Sequence, residues 1–302
     1  MFTRLANFWK STLNTKENAT FFPPSEWREE KSSKSAQDST VAYMILAHKL
    51  DEQLALLLKA LLSGERSRIY LHLDAKTAAD VDGKFLISDR ITFIRERVRV
   101  NWGGFSMVRA MKNVLRAALA DDSNRRFVLL SGACFPIRAP IDINEALFAG
   151  DGNIFSIWCQ MDPHNLSSEG SCRYGVTKFQ PCDIEILNPK NSIVHARIWN
   201  FYKKISGRIP FERKVSLTDL WKGSVFFSAN RDVAIWLAAD HPDLEHDLKW
   251  ALAADEIYFS TLFVRYLRQH GETLSLTPSD RTKQGTHYIT KKVPANRTFR
   301  QK

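Results

Sequence analysis

The chain has 302 residues, of which 44% are hydrophobic and 25% charged, and its formal net charge is +10. This composition is typical of a globular protein with a sizeable core. No stretch reaches the roughly 18 consecutive apolar residues of a membrane-spanning helix, and no short apolar block resembling a signal peptide opens the chain. We therefore expect a soluble, cytoplasmic protein. The positive charge suits a nucleic-acid binder, a protein resting on anionic lipid or an enzyme with a phosphorylated substrate.

Residues 1–40 have the composition of a leader that precedes the fold, with Pro23, Pro24 and a Ser/Lys-rich stretch. Within it, apolar residues recur at helical spacing beside Arg4 and Lys10. The apolar positions are Phe2, Leu5, Phe8, Trp9 and Leu13. This pattern predicts a short helix that either docks on the domain or makes peripheral contact with the inner face of the cell membrane.

From Val41 onward, strand-like and helix-like segments alternate. The predicted strands are 41–47, 68–73, 91–94 and 127–131, and the predicted helices are 51–62, 77–84 and 106–120. Such alternation indicates an α/β fold with a Rossmann-like N-terminal half, whose parallel sheet binds ligands at the carboxyl ends of its strands.

The pattern beyond residue 150 is less regular, with strands predicted at 154–158 and 224–228 and helices at 230–239 and 256–268. We interpret 41–280 as a single mixed domain with a nucleotide-binding half, 41–150, and an acceptor half, 151–280. Residues 281–302 form a basic segment, because no carboxylate follows Asp280. That segment is either a solvated tail or a binding element for phosphate groups.

Three polar features follow predicted strands: His48, Asp74 and the Asn-Trp-Gly-Gly turn at 101–104. Each has an ordinary structural explanation, such as a helix cap for Asp74 or a tight turn for Gly103. Together they converge on the sheet edge at which an α/β fold binds a nucleotide.

Asp255 and Glu256 precede an apolar, helix-periodic segment. In a structural role, Asp255 is an N-cap and Glu256 a first-turn acid favoured by the helix dipole. In a chemical role, Glu256 is a general base whose pKa a dry environment would raise. The sequence alone leaves the two interpretations equal.

The sequence carries none of the common signatures of other catalytic or metal-binding sites. The sequence lacks a Rossmann GxGxxG, a P-loop, an HExxH and a GxSxG. The four cysteines are too irregularly spaced for a CxxC-type zinc site, and we expect free thiols, with a disulfide among the last three as the alternative. They are Cys134, Cys159, Cys172 and Cys182.

Several blocks, in order and at plausible separations, resemble the core-2 and I-branching β-1,6-N-acetylglucosaminyltransferases and peptide O-xylosyltransferases, grouped as glycosyltransferase family 14. The resemblance covers about 41–265. Its blocks are YMILAHK at 43–49, IYLHLDAK at 69–76, RVNWGGFSMVRA at 99–110, FVLLSGACFPIR at 127–138, WKGSVFFS at 221–228 and ADEIYFSTL at 254–262.

The resemblance implies a GT-A fold and an inverting transfer from a UDP-sugar, with Glu256 as the general base. It places His48 and Asp74 at the uracil and ribose of the donor, and Asn101, Trp102 and Gly103 close to the donor. It also implies basic C-terminal residues at the diphosphate, and by position and charge we assign Lys291, Lys292 and Arg297. We assign Trp221, Asp255 and Tyr258 to acceptor binding, although aromatic residues such as Trp102, Trp221 and Tyr258 more often serve core packing.

A metal ion is not expected. Most GT-A enzymes carry an Asp-x-Asp motif after the strand that here reads FVLLS, whereas this chain continues Gly132-Ala133-Cys134. The literal Asp-x-Asp, Asp80 to Asp82, lies in another segment. Fixed basic side chains would then have to stabilise the departing UDP. We expect no cofactor, only the donor substrate.

The chain departs from the family at Cys134, where the family usually has an acidic residue, and in its shorter C-terminal region. Three alternatives remain: a UDP-xylose donor, a degenerate transferase retained as a scaffold, and a basic binding protein. No RNP, KH or zinc-finger pattern supports nucleic-acid binding. By analogy with the family we expect a bacterial enzyme of cell-surface polysaccharide synthesis whose acceptor is a carbohydrate or glycolipid.

Overall fold

A computed structural model describes residues 39–77, 88–150, 152–161, 175–206, 208 and 212–272. The strands are β1 (Thr40–Ala47), β2 (Ser67–Leu73), β3 (Ile91–Phe93), β4 (Asn124–Ser131), β5 (Ile154–Gln160) and β6 (Trp221–Asn230). The helices are α1 (Glu52–Leu62), α2 (Ser106–Leu119), α3 (Pro140–Ala149), α4 (Ile193–Ser206), α5 (Arg231–Ala238), α6 (Pro242–Leu248) and α7 (Ala254–Gln269). Short 3₁₀ turns lie at Glu185–Leu187 and Leu217–Asp219.

The six strands form one sheet in the order β3-β2-β1-β4-β6-β5. Strands β1 to β4 are parallel, β6 runs antiparallel to β4, and β5 runs antiparallel to β6. Both halves of the chain therefore contribute strands to the same sheet, which confirms the predicted single mixed α/β fold.

Residues that alternate along the central strand β1 pack against helices on opposite faces of the sheet. Tyr43 and Ile45 belong to a cluster with α1 and α3, whereas Ala42 and Met44 belong to a larger cluster with α2, α5 and α7. Because a strand buried on both faces needs apolar residues at every position, the unbroken run VAYMILA was a correct strand signal.

All the predicted strands are present in the structure, and the helices 51–62, 106–120, 230–239 and 256–268 are present with shifted ends. The helix predicted at 77–84 lies outside the described residues beyond Thr77. Among the described residues, helices α3, α4 and α6 were not predicted from the sequence. Helix α6 has only seven residues, and α4 buries only Trp199 fully, so neither presents the apolar periodicity on which a sequence prediction depends.

The strand directions place several segments at one edge of the sheet. β1, β2, β4 and β5 end there, and β6 begins there, because Trp221 pairs with Gln160 at the end of β5. We call this the carboxyl edge. Among the described helices, none has the length and apolar character needed to cross a bilayer.

Candidate active site

His48 and Asp74 follow β1 and β2 at the carboxyl edge, as the sequence predicted. His48 is exposed, and its carbonyl accepts a 2.6 Å hydrogen bond from Thr77 Oγ1. Asp74 is only 5% exposed. Its Oδ1 accepts a 2.8 Å hydrogen bond from the Lys76 amide, which closes a turn after β2. Asp74 thus has a structural role here, and its contact with a donor ribose stays a prediction.

The turn at 101–104 is held in one conformation by hydrogen bonds at both ends. The Asn101 amide donates to Ser106 Oγ at 2.9 Å, and the Asn101 carbonyl accepts from the Gly104 amide at 3.0 Å. Gly103 has a φ of 74°, a region that disfavours side chains. Trp102 is 48% exposed, which leaves its ring accessible to a ligand.

Asp183 fastens this turn to the start of α2, a role that the sequence analysis missed. Its carboxylate accepts hydrogen bonds from the Ser106 amide at 3.0 Å and from Ser106 Oγ at 2.5 Å. Its main-chain carbonyl accepts from Asn101 Nδ2 at 3.1 Å. The carboxylate also lies so close to Gly104 that a side chain there would overlap it. An isolated Asp in a loop gives no sequence signal for such a long-range contact.

The same turn contacts the beginning of α7, which carries Asp255 and Glu256. The Ala253 amide donates to the Gly103 carbonyl at 2.9 Å. Ala253 has a φ of 54° and is the residue at which the chain enters the helix. The predicted donor segment and the predicted catalytic segment are therefore joined directly.

Helix α7 begins two residues earlier than predicted, and this corrects the assignment of Asp255. Ala254 is the first helical residue and Ala253 the N-cap, without a side-chain capping bond. Asp255 is thus inside the first turn and is not the N-cap. Like Glu256, it benefits from the partial positive charge at the helix N-terminus.

Glu256 forms an ion pair with Lys222, at 3.1 Å between Oε2 and Nζ. The Glu256 side chain is 32% exposed and that of Lys222 is 22% exposed. Lys222 is the second residue of β6, and its ammonium lies 6.0 Å from the centre of the Trp158 ring on β5. Glu256 is thereby held at the carboxyl edge while its carboxylate keeps contact with solvent.

The sequence analysis did not single out Lys222, although the block WKGSVFFS contains it. A lysine near the start of a strand has the pattern of an ordinary exposed residue, and only the packing of α7 across β6 reveals its partner. The ammonium attracts the ionised carboxylate, which is the form that accepts a proton.

Asp255 has an unusual titration. Desolvation by the surrounding protein, together with the neighbouring charge of Glu256, raises the pKa of Asp255 to about 7. Backbone amides at the helix start and the Lys222 ammonium oppose this shift without cancelling it. Two adjacent carboxyl groups, one of them able to titrate near neutral pH, therefore lie together beside Lys222.

We expect Asp255→Asn to stabilise the protein most above pH 7 and to have little effect at about pH 4. Because the folded-state pKa is raised from 3.8 to about 7, the wild type loses stability progressively between these two pH values, and the loss is complete above about pH 7. The gain at pH 8 should be about 1–3 kcal/mol, below the roughly 4 kcal/mol that three pH units represent, since Asp255 is partly exposed. Urea unfolding at about pH 4 and about pH 8 measures it. An equal effect at both pH values would contradict the shifted titration.

Two of the predicted acceptor-binding residues, Tyr258 and Trp221, lie in the core. Tyr258 is completely buried, and its hydroxyl donates to Glu245 at 3.0 Å. Trp221 is 8% exposed, and its main chain bonds to Thr261 Oγ1 of α7. Tyr258 has no accessible surface with which to contact an acceptor, so the packing alternative applies to it, whereas an acceptor contact of Trp221 stays a prediction.

The loop after β4 is where many GT-A enzymes hold a metal. Here the Cys134 thiol lies 3.3 Å from Ser131 Oγ, and the Gly132 amide donates to the Leu46 carbonyl. Within the described ranges, no group of three or more His, Cys, Asp and Glu side chains is placed to hold a metal ion. Cys134 and Cys182 are free thiols.

The remaining predicted donor residues, Lys291, Lys292 and Arg297, lie outside the described residues, as do Cys172, Asp80 and Asp82. Their roles stay predictions. The structure thus brings together the 101–104 turn, Asp183, Lys222 and the Asp255–Glu256 pair.

Comparison with known proteins identifies the family. The model of the Core-2/I-Branching enzyme family matches residues 41–293. This range begins at the second residue of β1 and includes the other five strands and the whole of α7. A comparison with curated protein sequences finds no match. The family match agrees with the mixed α/β sheet. The chain therefore belongs to the Core-2/I-branching enzyme family and is a glycosyltransferase with a GT-A-type fold.

Proposed function

We propose that the protein is an inverting, metal-independent transferase that moves a sugar, preferably N-acetylglucosamine, from a UDP-sugar to a hydroxyl of a carbohydrate or glycolipid acceptor. The observation that carries this proposal is the position of Glu256. Its carboxylate is partly exposed at the carboxyl edge, paired with Lys222 at 3.1 Å, on a helix that bonds directly to the 101–104 turn.

In this reaction Glu256 accepts the proton of the acceptor hydroxyl. The acceptor oxygen forms a bond to the anomeric carbon on the face opposite the leaving group. The bond between that carbon and the diphosphate oxygen breaks, and its electron pair leaves with UDP. One bond forms and one breaks at the anomeric carbon, so its configuration inverts. Lys222 holds the carboxylate in place before the transfer and loses its ionic partner when the proton arrives.

The donor side of the site is assigned to His48, Asp74 and the 101–104 turn. The exposed Trp102 ring offers a flat surface on which a base or sugar ring can stack. Basic groups of the C-terminal segment are assigned to stabilise the negative charge that develops on UDP, with Lys291, Lys292 and Arg297 as first choices. Metal independence rests on the sequence Gly132-Ala133-Cys134, which supplies no carboxylate after β4.

The proposed setting is synthesis of a bacterial cell-surface polysaccharide at the cytoplasmic face of the membrane. A UDP-xylose donor would leave the same fold and base in place. A scaffold protein of this fold would have no need to keep a solvent-accessible carboxylate at the carboxyl edge.

UDP release from a panel of UDP-sugars, measured in excess EDTA with and without oligosaccharide acceptors, tests the proposal. We expect turnover that resists EDTA and is greatest with UDP-N-acetylglucosamine. Turnover only after addition of a divalent cation would overturn metal independence, and preference for UDP-xylose would overturn the donor. A protein that neither turns over nor binds UDP in calorimetry would be the scaffold.

A further inference from the structure

Helix α4 exposes an unusual amount of apolar surface. Val194, Phe201 and Ile205 are 57%, 66% and 44% exposed, and their spacing of seven and four residues places them on one side of the helix. Ile193 at the helix start and Ile186 in the preceding 3₁₀ turn are also exposed. Single exposed apolar residues are common in soluble proteins, but a cluster of this kind marks an interaction site.

The opposite side of α4 is the side that holds the helix to the protein. Trp199 is 5% exposed and stacks on Tyr202 with ring centres 5.7 Å apart. The Tyr202 hydroxyl donates to the Phe179 carbonyl at 2.6 Å. The helix is therefore packed on the rest of the protein through its Trp199 side, and the side with Val194, Phe201 and Ile205 is exposed.

Basic residues accompany this apolar surface. Arg197 and Lys204 are exposed at positions adjacent to the Val194, Phe201 and Ile205 stripe, and Arg208 is exposed just beyond the helix. In the sequence, no Asp or Glu occurs from 186 to 211, whereas five Lys or Arg residues do. They are Lys190, Arg197, Lys203, Lys204 and Arg208. Apolar side chains flanked by cations, in a stretch of sequence without acids, match the interface of an anionic bilayer.

The segment before α4 is connected to the candidate active site. Asn188 Nδ2 donates to the Trp102 carbonyl at 2.9 Å and to the Cys182 carbonyl at 2.9 Å. The Lys190 ammonium lies 5.0 Å from the centre of the Trp102 ring. A surface that met α4 would therefore lie close to the turn assigned to the donor.

We propose that this surface, defined as Ile186, Ile193, Val194, Arg197, Phe201, Lys204 and Ile205, docks on an anionic lipid bilayer and brings the site to a membrane-borne acceptor. The proposed bilayer contact is argued from the exposed apolar side chains and from the positive charge of the basic residues beside them. The link to an acceptor rests on the function proposed above.

Co-sedimentation of the full chain with phosphatidylcholine vesicles, and with vesicles that also contain phosphatidylglycerol, tests the contact. We expect binding to the anionic vesicles only. Phe201→Ser/Ile205→Ser should weaken this binding at least about tenfold. Arg197→Gln/Lys204→Gln should weaken it about fivefold per charge at low salt, with the difference shrinking as salt is added.

Leu56→Ser/Ile235→Ser, which removes two exposed apolar side chains from other helices, is the matched control and should bind as the wild type does. Wild-type binding by both α4 variants would overturn the proposal, and so would a dimer in solution that Phe201→Ser dissociates. UDP release without vesicles should stay within about twofold of wild type in all these variants. Failure of the vesicle contact is therefore distinguishable from failure of the proposed transferase activity.

Discussion

Glu256→Gln should lower kcat for sugar transfer by about 10²–10⁴-fold, the range that general-base catalysis contributes. Glutamine has nearly the same shape as glutamate, but its amide cannot take the acceptor proton. The KM for the UDP-sugar should change little, because the donor contacts are assigned to other residues. Steady-state UDP release with saturating acceptor measures both constants. Since Glu256 is partly exposed, loss of its ion pair with Lys222 should cost at most about 1 kcal/mol of stability.

Asp232→Asn is the matched control for this variant. Asp232 is likewise a first-turn acid, on α5, but α5 follows the end of β6 at the opposite edge of the sheet. Both substitutions remove one favourable interaction with a helix dipole, worth about 0.3–1 kcal/mol. The control should keep wild-type kcat. If Glu256→Gln also kept it, Glu256 would be only a first-turn acid and another group would have to accept the proton.

The parallel half of the fold was predictable because its strands are buried on both faces. A strand such as VAYMILA needs apolar residues throughout, and its flanking helices carry clear periodicity, so composition and spacing were sufficient. Helix α4 was not predictable in the same way. It has apolar residues on two sides, with Trp199 buried and Val194, Phe201 and Ile205 exposed, so its sequence does not show a single apolar face.

The site was predictable in its placement and not in its contacts. Polar residues after parallel strands had to meet at the carboxyl edge, which located His48 and Asp74 correctly. The partners of Glu256 and of the 101–104 turn come from distant segments, through Lys222 and Asp183, and spacing carries no information about them. Tyr258 was predicted to bind the acceptor because it lies near the predicted base, but its side chain packs in the core.

Gly223→Ala should both destabilise the protein and lower its activity. A Cβ atom at Gly223 would lie 2.5 Å from Ser260 Oγ on α7 and would overlap the Ser156 carbonyl oxygen of the neighbouring strand β5. The added atom presses on β5 on one side and on α7 on the other, so both elements have to adjust. Overpacking of this kind costs about 1–3 kcal/mol. At roughly 2–4 °C per kcal/mol for a protein of this size, Tm should fall by about 2–12 °C.

The activity loss follows from the position of Glu256 one helical turn before Ser260 on α7. A shift of about 1 Å in a catalytic group can cost as much as about 100-fold in rate, so kcat should fall more than the loss of folded protein explains. Gly150→Ala is the control, because the nearest atom to its added Cβ lies 4.0 Å away; its stability should stay within about 0.5 kcal/mol of wild type. Adding Ser260→Ala to Gly223→Ala removes one of the two clashes and should restore part of both Tm and kcat. A normal Tm with reduced kcat would instead place Gly223 at the substrate, and wild-type values of both would show that β6 and α7 are farther apart than the structure has them.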